Sequence, residues 1–518
     1  MKRGTLLRGA CGVALFLLGL GLALSDSYRP RTYRIYAGGC DLVTDILQPA
    51  SGGSSSALPQ GYVVLVHGLA ANKRIMSYIA KGFAAEGMRV FVPDMPGHGR
   101  TPGPFSYERS EVCTENLVRE LTERGLLDPE KTLLAGHSLG GADALRAAVQ
   151  VPVAGVIAIS PAPMRPTPGL SPEMLPFHEF GKLPAHSLVM SGGWEPWQMR
   201  NAAKELVPIP GDTTSEYVEI PRATHVSILF SPTALSTAEK WAALTLRLKK
   251  QPVLGSRRNV LGFIAGFAGI LLLAGPFLRE TLSSRKQETP ATDELGGVQV
   301  SRSLVECGIV ALGAVGALEF VGPLRALRLF EGDYFAGFLL ILGIVLLALH
   351  WKSVGEFISS GKSEGSAARP VYVSVILAAF VALLLYFLTS SWIELTVSET
   401  WLTVGKWARF GPFFLAALPY HAAEELLLGR AAPGESRWRV PKALALRLIA
   451  WCAIVAALFF LRSGEILPVI LAPYLGIFCV FQTWGMKVVR EVTASGAATA
   501  IFGAILLAGY CLVVFPTT

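Results

Sequence analysis

The chain has 518 residues, more than one hydrophobic core ordinarily organises, so we expect at least two domains. Only 16% of the residues are charged and 52% are hydrophobic, a composition that excludes an ordinary soluble protein of this size. The formal net charge of +8 does not indicate a nucleic-acid partner, because the basic residues cluster between apolar segments, as topology signals do in membrane proteins.

The N-terminus, residues 1–25, begins with basic residues and continues with an apolar run that ends in Ala23-Leu24-Ser25. This pattern predicts either a cleaved signal peptide or an uncleaved signal anchor, and we favour the anchor. Both interpretations place the residues from about 30 onward on the far side of the membrane.

Residues 26–250 alternate between short β-rich runs and helical patterns. The runs include GYVVLVHG, MRVFVPDMPGHG, KTLLAGHS, VAGVIAISP, HSLVMSGG and SEYVEIPRATH. Such alternation favours an α/β domain with a mostly parallel sheet covered by helices. In a sheet of this kind, functional residues are expected where the strands end.

Gly136-His137-Ser138-Leu139-Gly140 is a GxSxG motif placed after a predicted strand and before a predicted helix. A sharp turn at this point would lift the serine hydroxyl above the sheet, and the glycines would let strand and helix approach closely. The N-terminus of the helix adds a positive dipole where negative charge develops during acyl transfer.

On the motifs VVLVHGLAANK, VFVPDMPGHGRT, GHSLGG and PRATHVSI, residues 30–250 resemble the α/β-hydrolase superfamily, in its lipase, esterase and serine-aminopeptidase-like branch. The resemblance implies that Ser138 is the nucleophile and His225 the base that takes its proton. It implies an acid after the strand SLVMSGG, which favours Glu195. Asp212 remains the alternative acid.

The resemblance also implies an oxyanion hole formed by the backbone N–H groups of Leu69 and Leu139. A short, proline-rich lid is expected at about 161–186. This chemistry requires no cofactor and no metal ion, so we expect neither.

The seven cysteines contain no CxxC pair, so a zinc site or a disulfide framework is not expected. Cys40 and Cys113 are the two that fall in residues 26–250. They form either a disulfide in an oxidising compartment or two buried free thiols.

Residues 251–518 predict an all-α, polytopic membrane domain of about eight transmembrane helices, because most of its apolar segments have the length that crosses a bilayer. The segments lie near 259–278, 303–323, 334–350, 371–391, 409–428, 444–461, 466–483 and 498–516. Basic residues concentrate in alternate connections, which predicts a cytoplasmic N-terminus and an extracytoplasmic hydrolase domain in a multi-pass cell-membrane protein.

His421, Glu424 and Glu425 share one face of a predicted helix within this domain. Paired glutamates followed by Arg430 are similar to the glutamate motif of CAAX-type intramembrane proteases, but the arginine is one residue too far along and the family's later histidines are missing. We therefore expect a helix end near the lipid headgroups, with one glutamate paired to Arg430, rather than a second active site.

Together these patterns predict a membrane-bound serine hydrolase that cleaves a small-molecule or lipid ester through an acyl-enzyme intermediate. Three alternatives stay open. The same triad would serve an acyltransferase or a peptidase, or the hydrolase domain would regulate a transporter or channel.

Overall fold

The computed structural model describes residues 3–25, 29–49, 59–164, 184, 186–207, 215–248, 257–282, 298–322, 325–354, 370–429, 438–461 and 463–518. The chain forms two compact units. The sheet unit comprises Leu18–Ala265, Trp392–Trp401 and Pro516–Thr518. The helical unit comprises Met1–Leu17, Gly266–Ser391 and Leu402–Phe515.

The sheet unit is built on a single eight-stranded sheet with the order β1-β2-β4-β3-β5-β6-β7-β8. β1 and β2 form the antiparallel hairpin, β2 pairs antiparallel with β4, and the remaining pairs are parallel. The strands are β1 Arg31–Ala37, β2 Cys40–Leu47, β3 Gly61–Val66, β4 Met88–Pro93, β5 Thr132–His137, β6 Gly155–Ile159, β7 Ser187–Gly192 and β8 Ser215–Ile220.

Helices cover both faces of this sheet, which explains why central strands such as β5 and β6 are buried along their whole length. The helices of the chain, in order, are α1 Arg3–Ser25, α2 Ser77–Ala85, α3 Tyr107–Glu123, α4 Leu139–Gln150, α5 Trp197–Lys204, α6 Pro232–Thr245, α7 Arg258–Leu282, α8 Val298–Val321, α9 Gly332–Leu349, α10 Val371–Thr396, α11 Val404–Leu428, α12 Arg439–Ala456, α13 Leu467–Ile470, α14 Ala472–Thr493 and α15 Gly496–Val514. Two apolar cores result, one on each side of the sheet. Leu117, Leu134 and Leu145 belong to one, and Phe83, Leu133 and Leu235 to the other.

Local sequence sets the ends of these helices. The Ser106 hydroxyl accepts a hydrogen bond from the N–H of Arg109 at the start of α3, and Ser231 accepts one from Ala234 at the start of α6. Both serines therefore satisfy an otherwise unpaired amide in the first helical turn.

Two covalent or backbone ties hold the loops of the sheet unit. Cys40, at the start of β2, forms a disulfide with Cys113 in α3, so the disulfide interpretation of this pair is the observed one. Residues 516–518 also belong to this unit: the N–H of Thr517 donates to Gly97 O at 3.1 Å, and the N–H of Phe105 donates to Thr517 O at 2.7 Å.

The helical unit contains small-residue contacts between long apolar helices. Gly343 of α9 lies against Pro419 of α11, where an added Cβ would come within 2.8 Å of the proline Cβ, and Gly509 of α15 lies against the ring of Tyr386 in α10. Close approach of backbones at glycine is the usual way in which helices associate in lipid.

Seven helices in the described part of the chain are long and apolar enough to cross a membrane. They are Leu7–Ser25, Arg258–Leu282, Arg302–Val321, Gly332–Leu349, Val371–Thr396, Arg439–Leu461 and Gly496–Val514. Six of them follow residue 251, against the eight segments expected from the sequence. The other two segments, near 409–428 and 466–483, lie in α11 and in α13 with α14, which are not among these seven helices.

Most of the expected lid at about 161–186 lies outside the described residues, as does Asp212.

Candidate active site

Ser138 occupies the turn between β5 and α4 with φ 54° and ψ −119°. This positive φ is strained for a residue with a side chain, and such strain is typical of functional turns. The Ser138 N–H donates to Ile159 O at 3.0 Å, which ties the turn to β6. A Cβ on Gly140 would come within 2.5 Å of the carbonyl oxygens of Val66 and His67, so the turn requires glycine there.

His225 follows β8 and brings its imidazole to the serine. Its Nε2 lies 2.9 Å from Ser138 Oγ, and its side chain is 18% exposed. The ring is therefore positioned to accept the hydroxyl proton and remains accessible from one side.

Glu195 follows β7, and its Oε1 lies 3.2 Å from His225 Nδ1. The carboxylate is 1% exposed. With Nδ1 donating to the carboxylate, Nε2 is left with the lone pair that Ser138 needs. Ser138, His225 and Glu195 therefore form one continuous hydrogen-bonded chain.

Backbone hydrogen bonds hold the acid and base loops together. The N–H of Gly193 donates to Ile220 O at 2.9 Å, and the N–H of Trp194 donates to Ala223 O at 2.9 Å. These bonds hold the two residues between β7 and Glu195 against the loop that follows β8. The main chain therefore sets the separation of Glu195 and His225.

The loop after β3 passes directly beside the nucleophile. A Cβ on Gly68 would come within 2.9 Å of Ser138 Cβ, so only glycine allows this approach. Leu69 follows at once and is half-buried, and Leu139 opens α4 behind Ser138. The two expected oxyanion donors therefore belong to the segments that flank the serine.

Two histidines contact the Gly68–Lys73 segment or its flanks; because this segment carries the expected oxyanion donor Leu69, we call it the oxyanion loop. His67 Nε2 accepts from the N–H of Met95 at 3.0 Å, and His98 Nε2 accepts from the N–H of Ala70 at 3.1 Å. Ala70 is itself left-handed, with φ 60°. Burial lowers the pKa of His67, which keeps its ring neutral and able to accept.

The ring of His137, directly before Ser138, has a partner on the loop that carries His225. His137 Nε2 donates to the carbonyl oxygen of His225 at 2.7 Å. Burial, and secondarily the charge of His225, lowers the pKa of His137 to about 3, so this ring is neutral throughout the usual pH range. The sequence signal for this contact is a histidine directly before Ser138, but the residue that it contacts lies 88 positions further along the chain.

In the helical unit, Glu424 and Glu425 are paired with arginines of the next long helix. Glu424 accepts from Arg447 Nε at 2.7 Å and from Nη2 at 2.9 Å, and Glu425 accepts from Arg439 at 2.5 Å. Both glutamates are buried inside the protein, at 1% and 3% exposure. The expected partner Arg430 lies outside the described residues.

His421 joins the same cluster. Its Nδ1 lies 3.3 Å from Glu424, and its Nε2 lies 3.3 Å from the amide nitrogen of Gln482. The amide oxygen of Gln482 accepts from Arg447 at 2.6 Å. Buried charges in apolar surroundings require such partners, and helices α11, α12 and α14 supply them.

The eight-stranded sheet with a strained serine between β5 and α4 defines an α/β-hydrolase fold. Residues 63–248 match the model of the alpha/beta hydrolase family, in agreement with the α/β-hydrolase fold of this part of the chain. It is followed by a helical region with several apolar helices.

Two curated proteins resemble short parts of the chain. The magnesium-chelatase 30 kDa subunit of Rhodobacter capsulatus is 34% identical over 101 residues, which is 19% of this chain and 34% of that protein. An uncharacterized protein of Mycobacterium bovis is 32% identical over 90 residues, 17% of this chain and 25% of that protein. The chain thus spans about a third or less of these relatives' length.

Solved structures similar to this chain include a lidless α/β serine hydrolase of Xanthomonas campestris, with 17% identity and a TM-score of 0.34 over 44% of this chain and 99% of that chain. They also include the monoacylglycerol lipase of Paleococcus ferrophilus, with 21% identity and a TM-score of 0.31 over 40% of this chain and 99% of that chain.

Proposed function

We propose that the protein is a membrane-bound serine hydrolase that cleaves ester bonds through a Ser138–His225–Glu195 triad. The observation that carries this proposal is the hydrogen-bonded chain from Ser138 Oγ through His225 to Glu195. A serine hydroxyl is a weak nucleophile until a positioned base removes its proton, and a buried carboxylate orients that base and stabilises its charged form.

In the first half of the reaction, Ser138 Oγ attacks the ester carbonyl carbon while its proton moves to His225 Nε2. The N–H groups of Leu69 and Leu139 stabilise the resulting oxyanion. Collapse of this tetrahedral species breaks the bond to the alcohol, which leaves with the proton from His225, and the acyl group stays on Ser138.

In the second half, His225 Nε2 takes a proton from a water molecule whose oxygen attacks the acyl carbon. The carboxylic acid is released and Ser138 regains its proton from His225. Glu195 stays ionised throughout, because its role is to fix the imidazole and to stabilise its positive charge.

The hydrolase domain is proposed to face the extracytoplasmic side, with the N-terminus in the cytoplasm. Two observations support this sidedness. The Cys40–Cys113 disulfide is typical of an oxidising compartment, and the basic residues concentrate in the alternate connections that would then be cytoplasmic. Attachment to the bilayer favours lipids or lipid-linked acyl groups as substrates.

Labelling with a membrane-impermeant fluorophosphonate tests activity and sidedness together. We expect labelling of intact cells that is lost in Ser138→Ala. Ser160→Ala is a matched control, because Ser160 is buried at the same edge of the sheet, has φ 46°, and its hydroxyl has no hydrogen-bond partner in the described part of the chain.

Labelling only after detergent solubilisation would support the proposed activity but place the hydrolase domain on the cytoplasmic side. Absence of Ser138-dependent labelling in both conditions would contradict the proposed activity. Release of free acid from an ester, as against transfer of the acyl group to a lipid acceptor, then distinguishes hydrolysis from acyl transfer.

A further inference from the structure

Residues 392–401 follow the hydrolase domain by about 150 positions, yet they belong to the sheet unit. They include the end of α10 and the connection toward α11. Within that segment, Ser398 and Glu399 contact Asn72 and Lys73, the last two residues of the oxyanion loop.

Asn72 uses its whole side-chain amide in this contact. Its Oδ1 accepts from the N–H groups of Arg74 and Glu399, both at 3.1 Å. Its Nδ2 donates to Ser398 Oγ at 3.0 Å and to Glu399 O at 3.1 Å. Three of these four hydrogen bonds therefore reach the distant segment, and the amide has no remaining capacity for other partners.

Lys73 adds a buried ionic link. Its ammonium group donates to Asp94 Oδ2 and to Glu399 Oε1, each at 2.5 Å, and its backbone N–H donates to Asp94 Oδ1 at 2.7 Å. The three side chains are 2%, 0% and 4% exposed. A buried ammonium group is strongly destabilising unless it is paired, so Lys73 fixes the position of the loop relative to both carboxylates.

A second, more exposed set of contacts lies beside the Lys73–Glu399 ion pair. Arg100 donates to Glu394 Oε1 at 2.6 Å, and Arg74 donates to the carbonyl oxygen of Glu394 at 2.5 Å. The other carboxylate oxygen of Glu394 accepts from the N–H of Thr400 at 2.8 Å, which closes the 394–400 turn. The segment that presents Glu399 is thus braced from within.

These contacts bear on Leu69 because the oxyanion loop is short and held at few points. Ala70 is fixed by His98, and the N–H of Ala71 donates to Gly68 O at 3.2 Å. Asn72 and Lys73 are fixed by Glu399 and Asp94. Leu69 lies between Gly68, which touches Ser138, and this fixed end of the loop, so the direction of its N–H follows from both.

We propose that Glu399 is a positioning residue that holds the oxyanion loop of the hydrolase domain. The inference rests on the proposed function, because it assigns Leu69 to the oxyanion hole. Its consequence is that residues 29–248 do not make a complete active site without the 392–401 segment.

The test compares full-length Glu399→Ala and Glu399→Gln with wild type, using a soluble chromogenic ester. Glu115→Ala is the matched control, since Glu115 forms an exposed i,i+4 pair with Arg119 on α3. We expect Glu399→Ala to lower kcat by roughly 10- to 100-fold with KM within about twofold, because loss of one oxyanion donor costs about 100- to 1,000-fold. Glu399→Gln keeps an oxygen acceptor for Lys73, so its kcat should lie between those of Glu399→Ala and wild type.

Two readouts separate positioning from general instability. Inhibition by a boronic acid, which forms a tetrahedral adduct with an active serine, should weaken in parallel with kcat. Hydrogen exchange of the amides at 69–74 should speed up in Glu399→Ala, while the amides of β5 and β6 stay protected. If Glu399→Ala does not fold, the same readouts on Glu399→Gln decide.

A folded Glu399→Ala or Glu399→Gln protein with the kcat and boronate affinity of Glu115→Ala would overturn this inference and leave the proposed function intact. Absence of Ser138-dependent turnover in wild type would overturn both. The two failures are therefore distinguishable in one set of measurements.

Discussion

The carbonyl oxygen of His225 lies 2.7 Å from Nε2 of His137, so the residue directly before the nucleophile also holds the backbone of the proposed base. The two rings are neighbours as well, with centroids 4.9 Å apart. Because His137 is buried and neutral, it provides this hydrogen bond without adding a charge beside His225.

Replacing His137 by phenylalanine should remove the donor and leave the carbonyl oxygen of His225 without it. We expect about a fivefold decrease in kcat, in line with the roughly 1 kcal/mol that one such hydrogen bond contributes. His137→Gln places an amide nitrogen near the position of Nε2 and should recover part of the rate. A fully active His137→Phe enzyme would show that the base loop is held without this bond.

Glu195→Gln tests the acid of the triad. We expect kcat to fall by roughly 10⁴-fold, since an amide at this position favours the wrong imidazole tautomer. Asp212→Asn is the matched substitution at the alternative acid and should leave kcat near the wild-type value. The reverse result in steady-state kinetics would transfer the role to Asp212.

The Cys40–Cys113 disulfide should contribute measurably to the stability of the sheet unit. Cys113→Ser is expected to lower the free energy of unfolding by about 2–5 kcal/mol, as removal of native disulfides typically does. Thermal unfolding in detergent, with and without reductant, measures the difference. Cys511→Ser, at a free buried thiol, should show no reductant sensitivity beyond that of wild type.

Glu239 in α6 predicts a pH dependence of stability. Its carboxyl group is fully buried, lies near Glu86, and neither oxygen has a hydrogen-bond partner in the described part of the chain. Burial, and then the charge of Glu86, raises the pKa of Glu239 to about 8. The folded state therefore binds this proton more tightly than the unfolded state, and stability is lost as pH rises from about 4.5 to about 8.

Glu239→Gln removes that ionisation. We expect the variant to gain thermal stability relative to wild type, and the gain should be larger at pH 9 than at pH 5. Differential scanning fluorimetry over this pH range measures it. An equal difference at both pH values would show that Glu239 does not hold its proton in the folded protein.

Removing one charge of the Glu424–Arg447 pair should destabilise the helical unit more than removing both charges. Arg447→Met leaves a buried carboxylate without its main partner and should destabilise by about 3–5 kcal/mol. Arg447→Met combined with Glu424→Gln removes both charges and should recover much of that loss. Thermal stability in detergent gives the comparison, and a double variant as unstable as Arg447→Met would argue against the charge explanation.

The residues of the candidate triad could be picked out from the sequence because each has a local signal. Ser138 stands in a strand–turn–helix motif, and His225 and Glu195 each follow a strand in a parallel sheet. The fold could be predicted for the same reason, since alternating strands and helices determine a parallel sheet covered on both faces.

The supporting contacts had no such signal. Asn72 and Glu399 are 327 residues apart, and nothing in either local sequence indicates the other. The cysteine pair stayed open because spacing alone does not distinguish a disulfide from two thiols. The counter-charges of Glu424 and Glu425 come from a neighbouring helix, so their identity depends on helix packing that the apolar pattern does not specify.

The pairing of Thr517 with Gly97 and Phe105 bears on how the protein is made. A ribosome that has translated residues 29–248 has not yet supplied the partners of these two residues or of Asn72 and Lys73, because Thr517 and Glu399 emerge much later. These loops therefore stay incompletely paired until the apolar helices have been translated. If Glu399 positions the oxyanion loop as proposed, the candidate active site is completed only after the apolar helices have been synthesised.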